Sequence, residues 1–139
     1  MAQLSPYLSF NGNCREAMTF YQECLGGELH MQTVGDSPMA EKMPAEKKNN
    51  IMHSTLTAGD IVLMAADSMD HEPWVAGNAM TLCINCGSEE EITTFFNKLS
   101  VGGKVIHPLT VEFWGATFGM LTDKFGIQWM FNFEKKSQA

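Results

Sequence analysis

The sequence predicts an α+β fold built of tandem βαβββ modules. Three observations predict the modules. Residues 10–29 and 84–105 repeat one pattern. Each copy holds one amphipathic helix. Short apolar runs separated by glycine-centred turns follow each helix, as antiparallel strands would.

The repeat is visible residue by residue. Each copy opens on a strand ending in Asn, then shows a capping residue, a Glu three later, an aromatic pair, a Leu and a Gly-Gly. Phe20-Tyr21 lies over Phe95-Phe96, and Gly26-Gly27 over Gly102-Gly103. More weakly, 58–64 aligns with 125–130 as strand, glycine turn, strand. The modules are therefore placed at 1–68 and 78–139.

In the first module a strand is expected near 4–10 and a helix over 14–25. Asn13 is a suitable N-cap, and Glu16 stands where a capping box needs it. Ala17, Phe20, Tyr21, Cys24 and Leu25 fall on one face, and Gly26 ends the helix. Strands follow near 27–34, 50–58 and 60–66. In the second module strands are expected near 79–86, 103–107, 116–123 and 126–133. Its helix is capped by Ser88 with Glu91 in reply, and Ile92, Phe95, Phe96 and Leu99 form its stripe. Glu89, Glu90 and Glu91 suit a helix first turn without any catalytic role. Residues 35–50 are polar, hold two prolines and read as a long loop or lid. Residues 67–78 link the modules, with Trp74 either capping the core or lining a site mouth.

Composition narrows the function. The 139 residues are 45% hydrophobic, enough for a packed core. A net charge of −7 argues against nucleic acid and against an anionic membrane surface. No apolar stretch approaches the length of a membrane span. The opening residues lack a basic, then apolar, leader pattern. A cytoplasmic protein with reduced cysteines (Cys14, Cys24, Cys83, Cys86) is expected. Cys83 and Cys86 form C-x-x-C, but three residues apart on a strand they point to opposite faces, which suits structural cysteines better than a zinc or redox pair. Eleven methionines fit either an irregular core or an adaptable apolar cavity.

The resemblance rests on Pro6 through Asn13, Phe20-Tyr21, Gly26-Gly27, Ile51-Met52-His53, Phe113-Trp114-Gly115, Phe118-Gly119 and Leu121 through Gly126 running into Trp129. On these residues the chain resembles the vicinal-oxygen-chelate superfamily, which holds glyoxalase I and the bleomycin-resistance proteins. It looks like the PhnB-like branch, which carries the label 3-demethylubiquinone-9 3-methyltransferase. The resemblance implies a half-open cup from each half's four strands, outer helices, homodimeric pairing and, in metal-using members, four inner-strand ligand positions. Here those positions hold Ser5, Pro6 or Tyr7; His53; Ala79 or Met80; and Met130, where metal-using relatives have Glu. One imidazole does not hold a hard divalent ion, so no metal and no other cofactor is expected. His71, His107 or Glu112 would have to supply a displaced site. The methyltransferase label finds no support, because no glycine-rich loop follows a strand and opens a helix.

The resulting expectation is a small-molecule-binding protein with a largely apolar, metal-free pocket lined by His53, Leu63, Trp114, Phe118, Met120, Gln128 and Met130. The competing reading is a metal-dependent lyase, isomerase or dioxygenase with a displaced site. His53 is equally a hydrogen-bonded sheet histidine, and Trp114 equally a core residue. Catalytic residues are not identifiable, nor is it decided whether the chain is an enzyme.

Overall fold

The structure is a computed structural model that describes residues 2–38, 40–42, 44–68 and 73–134. Among the described residues, eight strands and two α-helices fall into two compact units, Met1–Val75 and Ala76–Ala139. The class is α+β with mixed sheets, as the repeat predicts.

The first unit contains β1 (Tyr7–Phe10), α1 (Cys14–Leu25), β2 (Glu28–Thr33), β3 (Ile51–Ala58) and β4 (Ile61–Asp67). Its sheet runs β1-β4-β3-β2, with β1 parallel to β4 and the other pairs antiparallel. Helix α1 lies on one face. It buries Ala17, Met18, Phe20, Tyr21, Cys24 and Leu25 against Phe10, Leu56, Leu63 and Ala65. Each such large side chain contributes about 1.5–3 kcal/mol by leaving water.

The second unit repeats the plan with β5 (Leu82–Asn85), α2 (Glu89–Leu99), β6 (Lys104–Val111), β7 (Ala116–Thr122) and β8 (Gln128–Glu134), in sheet order β5-β8-β7-β6. Ile92, Phe96 and Leu99 are buried, with Phe96 edge-on to Phe131 at 5.5 Å between ring centroids. Phe95, expected in that stripe, is only half-buried.

The two helix starts differ. Ser88 accepts from the Glu91 amide at 3.0 Å and Glu91 reaches back to the Gly87 amide at 2.9 Å, the box read from the sequence. Asn13 makes no side-chain cap. A distant residue, 53 positions from Cys14, does that work: Asp67 Oδ1 accepts from the Cys14 amide at 2.9 Å. A buried carboxylate at a helix start is favoured by the aligned peptide dipoles.

Three further corrections concern turns and strand length. Gly59 and Gly126 do not occupy equivalent turns. Residues 59–60 make a two-residue hairpin, whereas 123–127 make a five-residue loop built on Asp123. Asp123 Oδ1 accepts from the amides of Phe125 and Ile127, and Oδ2 accepts from Trp129 Nε1 at 2.8 Å. Strand β6 runs to Val111, beyond the expected 107, with register shifts on both sides of His107. Gly115, which reads from the sequence as a bulge because it follows Trp114 at a strand entrance, instead closes the Glu112–Gly115 turn with φ +91°, its amide donating to the Glu112 carbonyl at 2.9 Å. Loop 35–50 is anchored at its base, with the Val34 and Gly35 amides donating to Asn50 and Lys48 carbonyls. Trp74 donates from Nε1 to the Ser9 carbonyl at 2.7 Å, tying the linker to edge strand β1.

Candidate functional site

In both units the helix covers one sheet face, and strand alternation sends the remaining side chains to the other. In the second unit, Phe118, Met120 and Thr122 of β7 alternate with Thr117, Gly119 and Leu121 of the helix side. Gln128, Met130 and Asn132 of β8 alternate with buried Trp129 and Phe131. Register places Met120 opposite Met130 and Phe118 opposite Asn132, so these side chains share the uncovered face. Cys83 stands beside Met130 there, and His107 beside Met120. The aromatic-in, mixed-out arrangement of β8 is the one its alternation predicts.

This face is apolar with a few placed polar groups. Trp114, half-exposed, meets Phe118 at 6.1 Å between centroids, and Phe118 meets His107 edge-on at 5.5 Å. Gln128 Nε2 donates to the Met80 carbonyl at 2.9 Å, which fixes the carboxamide. Asn132 donates to Asn85 at 3.4 Å. Burial raises the Cys83 thiol above its ordinary range, so the thiolate is disfavoured at neutral pH.

The first unit's uncovered face is more polar. His53 on β3 is exposed there. Thr55 Oγ1 lies 3.2 Å from its Nε2, and the Tyr7 hydroxyl lies 3.5 Å from its Nδ1. Met64 shares the face, opposite Thr55 and beside Tyr7. His53 is thus a hydrogen-bonded histidine of a sheet's open face.

Five of the seven sequence-predicted pocket residues therefore belong to the second unit: Trp114, Phe118, Met120, Gln128 and Met130. His53 lies in the other sheet. Leu63 points to the wrong face for a pocket wall: it is 2% exposed, pairs with Leu56 and faces α1. Its odd-even position relative to Met64 decides its side. Tyr7 and Thr55 were missed as His53 partners. Alternation from His53 points to Thr55; the parallel pairing that brings Tyr7 near has no local signature.

The donor set does not fit the superfamily's metal. The first unit's positions offer Ser5, Pro6 or Tyr7 and His53, whose two ring nitrogens face hydroxyls; the second unit's offer Ala79 or Met80 and the thioether of Met130. Thioethers suit soft ions, not hard divalent ones. His107 lies on β6 rather than in a loop, and its Nε2 is 3.1 Å from Glu112 Oε1. Its Nδ1 is 2.8 Å from the Pro108 carbonyl. His71 falls outside the described residues. Among the described residues, no three His, Cys, Asp or Glu side chains come together as a metal group.

Comparison with known proteins agrees with this architecture over nearly the whole chain. The family model described as 3-demethylubiquinone-9 3-methyltransferase matches residues 2–131. Protein YjdN of Escherichia coli strain K12 is 35% identical over 141 residues, covering 96% of both chains. The crystal structure of protein PA1353 from Pseudomonas aeruginosa superposes with a TM-score of 0.86 at 44% identity, covering 98% of this chain and 100% of that one. The Bacillus cereus PhnB protein gives a TM-score of 0.76 at 30% identity, covering 95% and 99%. The chain belongs to the PhnB-like 3-demethylubiquinone-9 3-methyltransferase family and has the fold of glyoxalase/bleomycin-resistance proteins.

Proposed function

We propose that this PhnB-like protein binds a small organic ligand, without a metal, on the uncovered face of its second sheet. One observation carries the reading. Phe118, Met120 and Met130 present an apolar strip that α2 does not cover, flanked by Trp114 and punctuated by Gln128 and Asn132. Apolar walls with a few oriented polar groups are the usual make-up of a ligand site. In the first unit the same reading gives His53, steadied by Thr55, as a polar ligand contact on its own sheet face. Pairing with a second copy is also proposed, supported by the exposed apolar side chains of Val105, Ile106 and Val111 on β6.

The competing reading is a metal-dependent enzyme. Its specific support is the His107–Glu112 pair, two donors that a third ligand would complete. The test combines three measurements on one preparation. Metal analysis should show no stoichiometric Zn, Mn, Ni or Fe. Thermal unfolding should rise with an aromatic or amphipathic compound, by about 2.7 kcal/mol at a hundred times its Kd. Trp114→Ala and Met130→Glu should abolish that rise while keeping the unliganded transition cooperative. Sedimentation should give twice the chain mass. A stoichiometric metal would overturn the metal-free reading. A wide compound panel without any shift would remove the ligand, and a monomer would remove the pairing.

A further inference from the structure

We propose that the aromatic corner at the β6–β7 turn selects ligands bearing a weakly hydrated organic cation, such as a quaternary ammonium or guanidinium group on an apolar body. This rests on the ligand-binding reading above and narrows it to a chemical class.

The corner is a run of rings set nearly at right angles. Phe113 and Trp114 lie 4.9 Å apart at 90°, Trp114 and Phe118 6.1 Å apart at 68°, and Phe118 and His107 5.5 Å apart at 75°. Perpendicular rings present both edges and faces, and an aromatic face carries the negative lobe of its quadrupole. Phe113 is 95% exposed and Trp114 51%, so both are accessible to a ligand. Core packing would have hidden them. The tight Glu112–Gly115 turn holds both at the edge of the uncovered face, because Gly115 alone takes the left-handed conformation there.

Charge supplies the second, independent observation. Glu112 stands in the same turn; its Oε1 takes the Thr110 hydroxyl at 3.0 Å and faces His107 Nε2. The unit as a whole is polarised. Glu134 pairs opposite Ala116 and lies at the aromatic end with Glu112, while Glu89, which accepts from Thr117, lies at that end on the helix side of the sheet. Glu90 and Glu91 fall in the same first turn of α2. The described lysines lie at the other end. Lys104 pairs opposite Thr122, Lys98 is in the last turn of α2, and Lys124 packs on Gly102. Among the described residues, an anion brought to this corner would meet the carboxylates of Glu112 and Glu134 beside one histidine. A cation would meet ring faces and an acidic field, the complement that aromatic cages use for quaternary ammonium groups.

The test compares choline with 3,3-dimethylbutan-1-ol, its uncharged isostere. Nile red serves as a neutral apolar control. Binding is read from the intrinsic tryptophan fluorescence of the parent protein, and the Trp114→Leu variant is expected to lose the response. Choline is expected to bind about tenfold more tightly than the isostere. The preference should weaken as salt rises and shrink in Glu112→Gln, whose folding is checked by circular dichroism. Equal binding of the pair, or an undiminished preference in Glu112→Gln, would overturn the cation selectivity while Nile red binding leaves the ligand reading standing. Failure of all three probes to bind would overturn both.

Discussion

One oxygen of Asp67 takes the amide proton of Cys14 at 2.9 Å, and the other takes that of Ile51 at 2.7 Å. The side chain is 5% exposed, so neither amide has water as a substitute. Asp67→Ala should cost about 3 kcal/mol in urea unfolding, since two buried donors lose a charged acceptor. Asp67→Asn should cost less, because one amide keeps a carbonyl oxygen. Equal stability of Asp67→Ala and the parent would contradict this account. From the sequence, Asp67 and Asp123 read as ordinary turn residues. Their structural role was legible, but their partners were not: each binds amides or an indole that only tertiary packing, or a loop of unforeseen length, delivers. Asn13 shows the opposite error. Its residue type promised a cap, and a distant carboxylate took the position.

At the scale of elements, the twin Gly-Gly pairs carry most of the lesson. The first glycine of each pair, Gly26 or Gly102, leaves the helix at positive φ (79° and 75°). The second meets the backbone of a neighbouring strand end. A Cβ on Gly27 would collide with the Thr57 carbonyl oxygen, and one on Gly103 with that of Thr122. Backbone cannot step aside as a side chain can. Gly27→Ala and Gly103→Ala are therefore expected to destabilise by about 3 kcal/mol or more. Gly26→Ala, with nothing within 4 Å, should lose only about 1 kcal/mol, for strain. Thermal melts of the three variants check the ranking, and a Gly26→Ala variant less stable than Gly27→Ala would refute it. The repeat of these pairs was visible in the sequence because steric demand fixes residue type. The extension of β6 to Val111 was not, because Pro108 argues against a strand and only the register shifts around it admit one. Gly119 has a related cause: a Cβ there would stand 2.8 Å from the Phe96 ring.

For the whole molecule, buried thiols set a limit on alkaline stability. Burial pushes the Cys14 thiol up to about 11, partly opposed by its hydrogen bond with Ser54. Burial, then Glu91 and Cys83, push Cys86 up to about 12. Both stay protonated in the folded chain where the unfolded chain has begun to ionise. Stability is therefore whole below pH 9 and declines as pH rises through 11 to 12. Cys14→Ser should remove about 2 kcal/mol of that alkaline loss. Melting temperatures of parent and variant between pH 8 and 11.5 should diverge above 9; parallel curves would rule the thiol out. The tandem plan and class were readable across the entire chain, since helix stripes and glycine turns are local. The division of the expected pocket residues between two sheets was not, because periodicity gives a side chain its face but not its neighbours.

The parallel register of β1 with β4 also governs when the chain can be finished during synthesis. Residues 7–10 emerge from the ribosome early, yet their ladder partners are residues 64–67. The α1 start waits on the same stretch, since its carboxylate acceptor is residue 67. Until then the nascent N-terminal segment has no docking edge of its own. The β6–β7 hairpin, by contrast, needs only residues 104–122 clear of the ribosome, because its partners are neighbours in sequence.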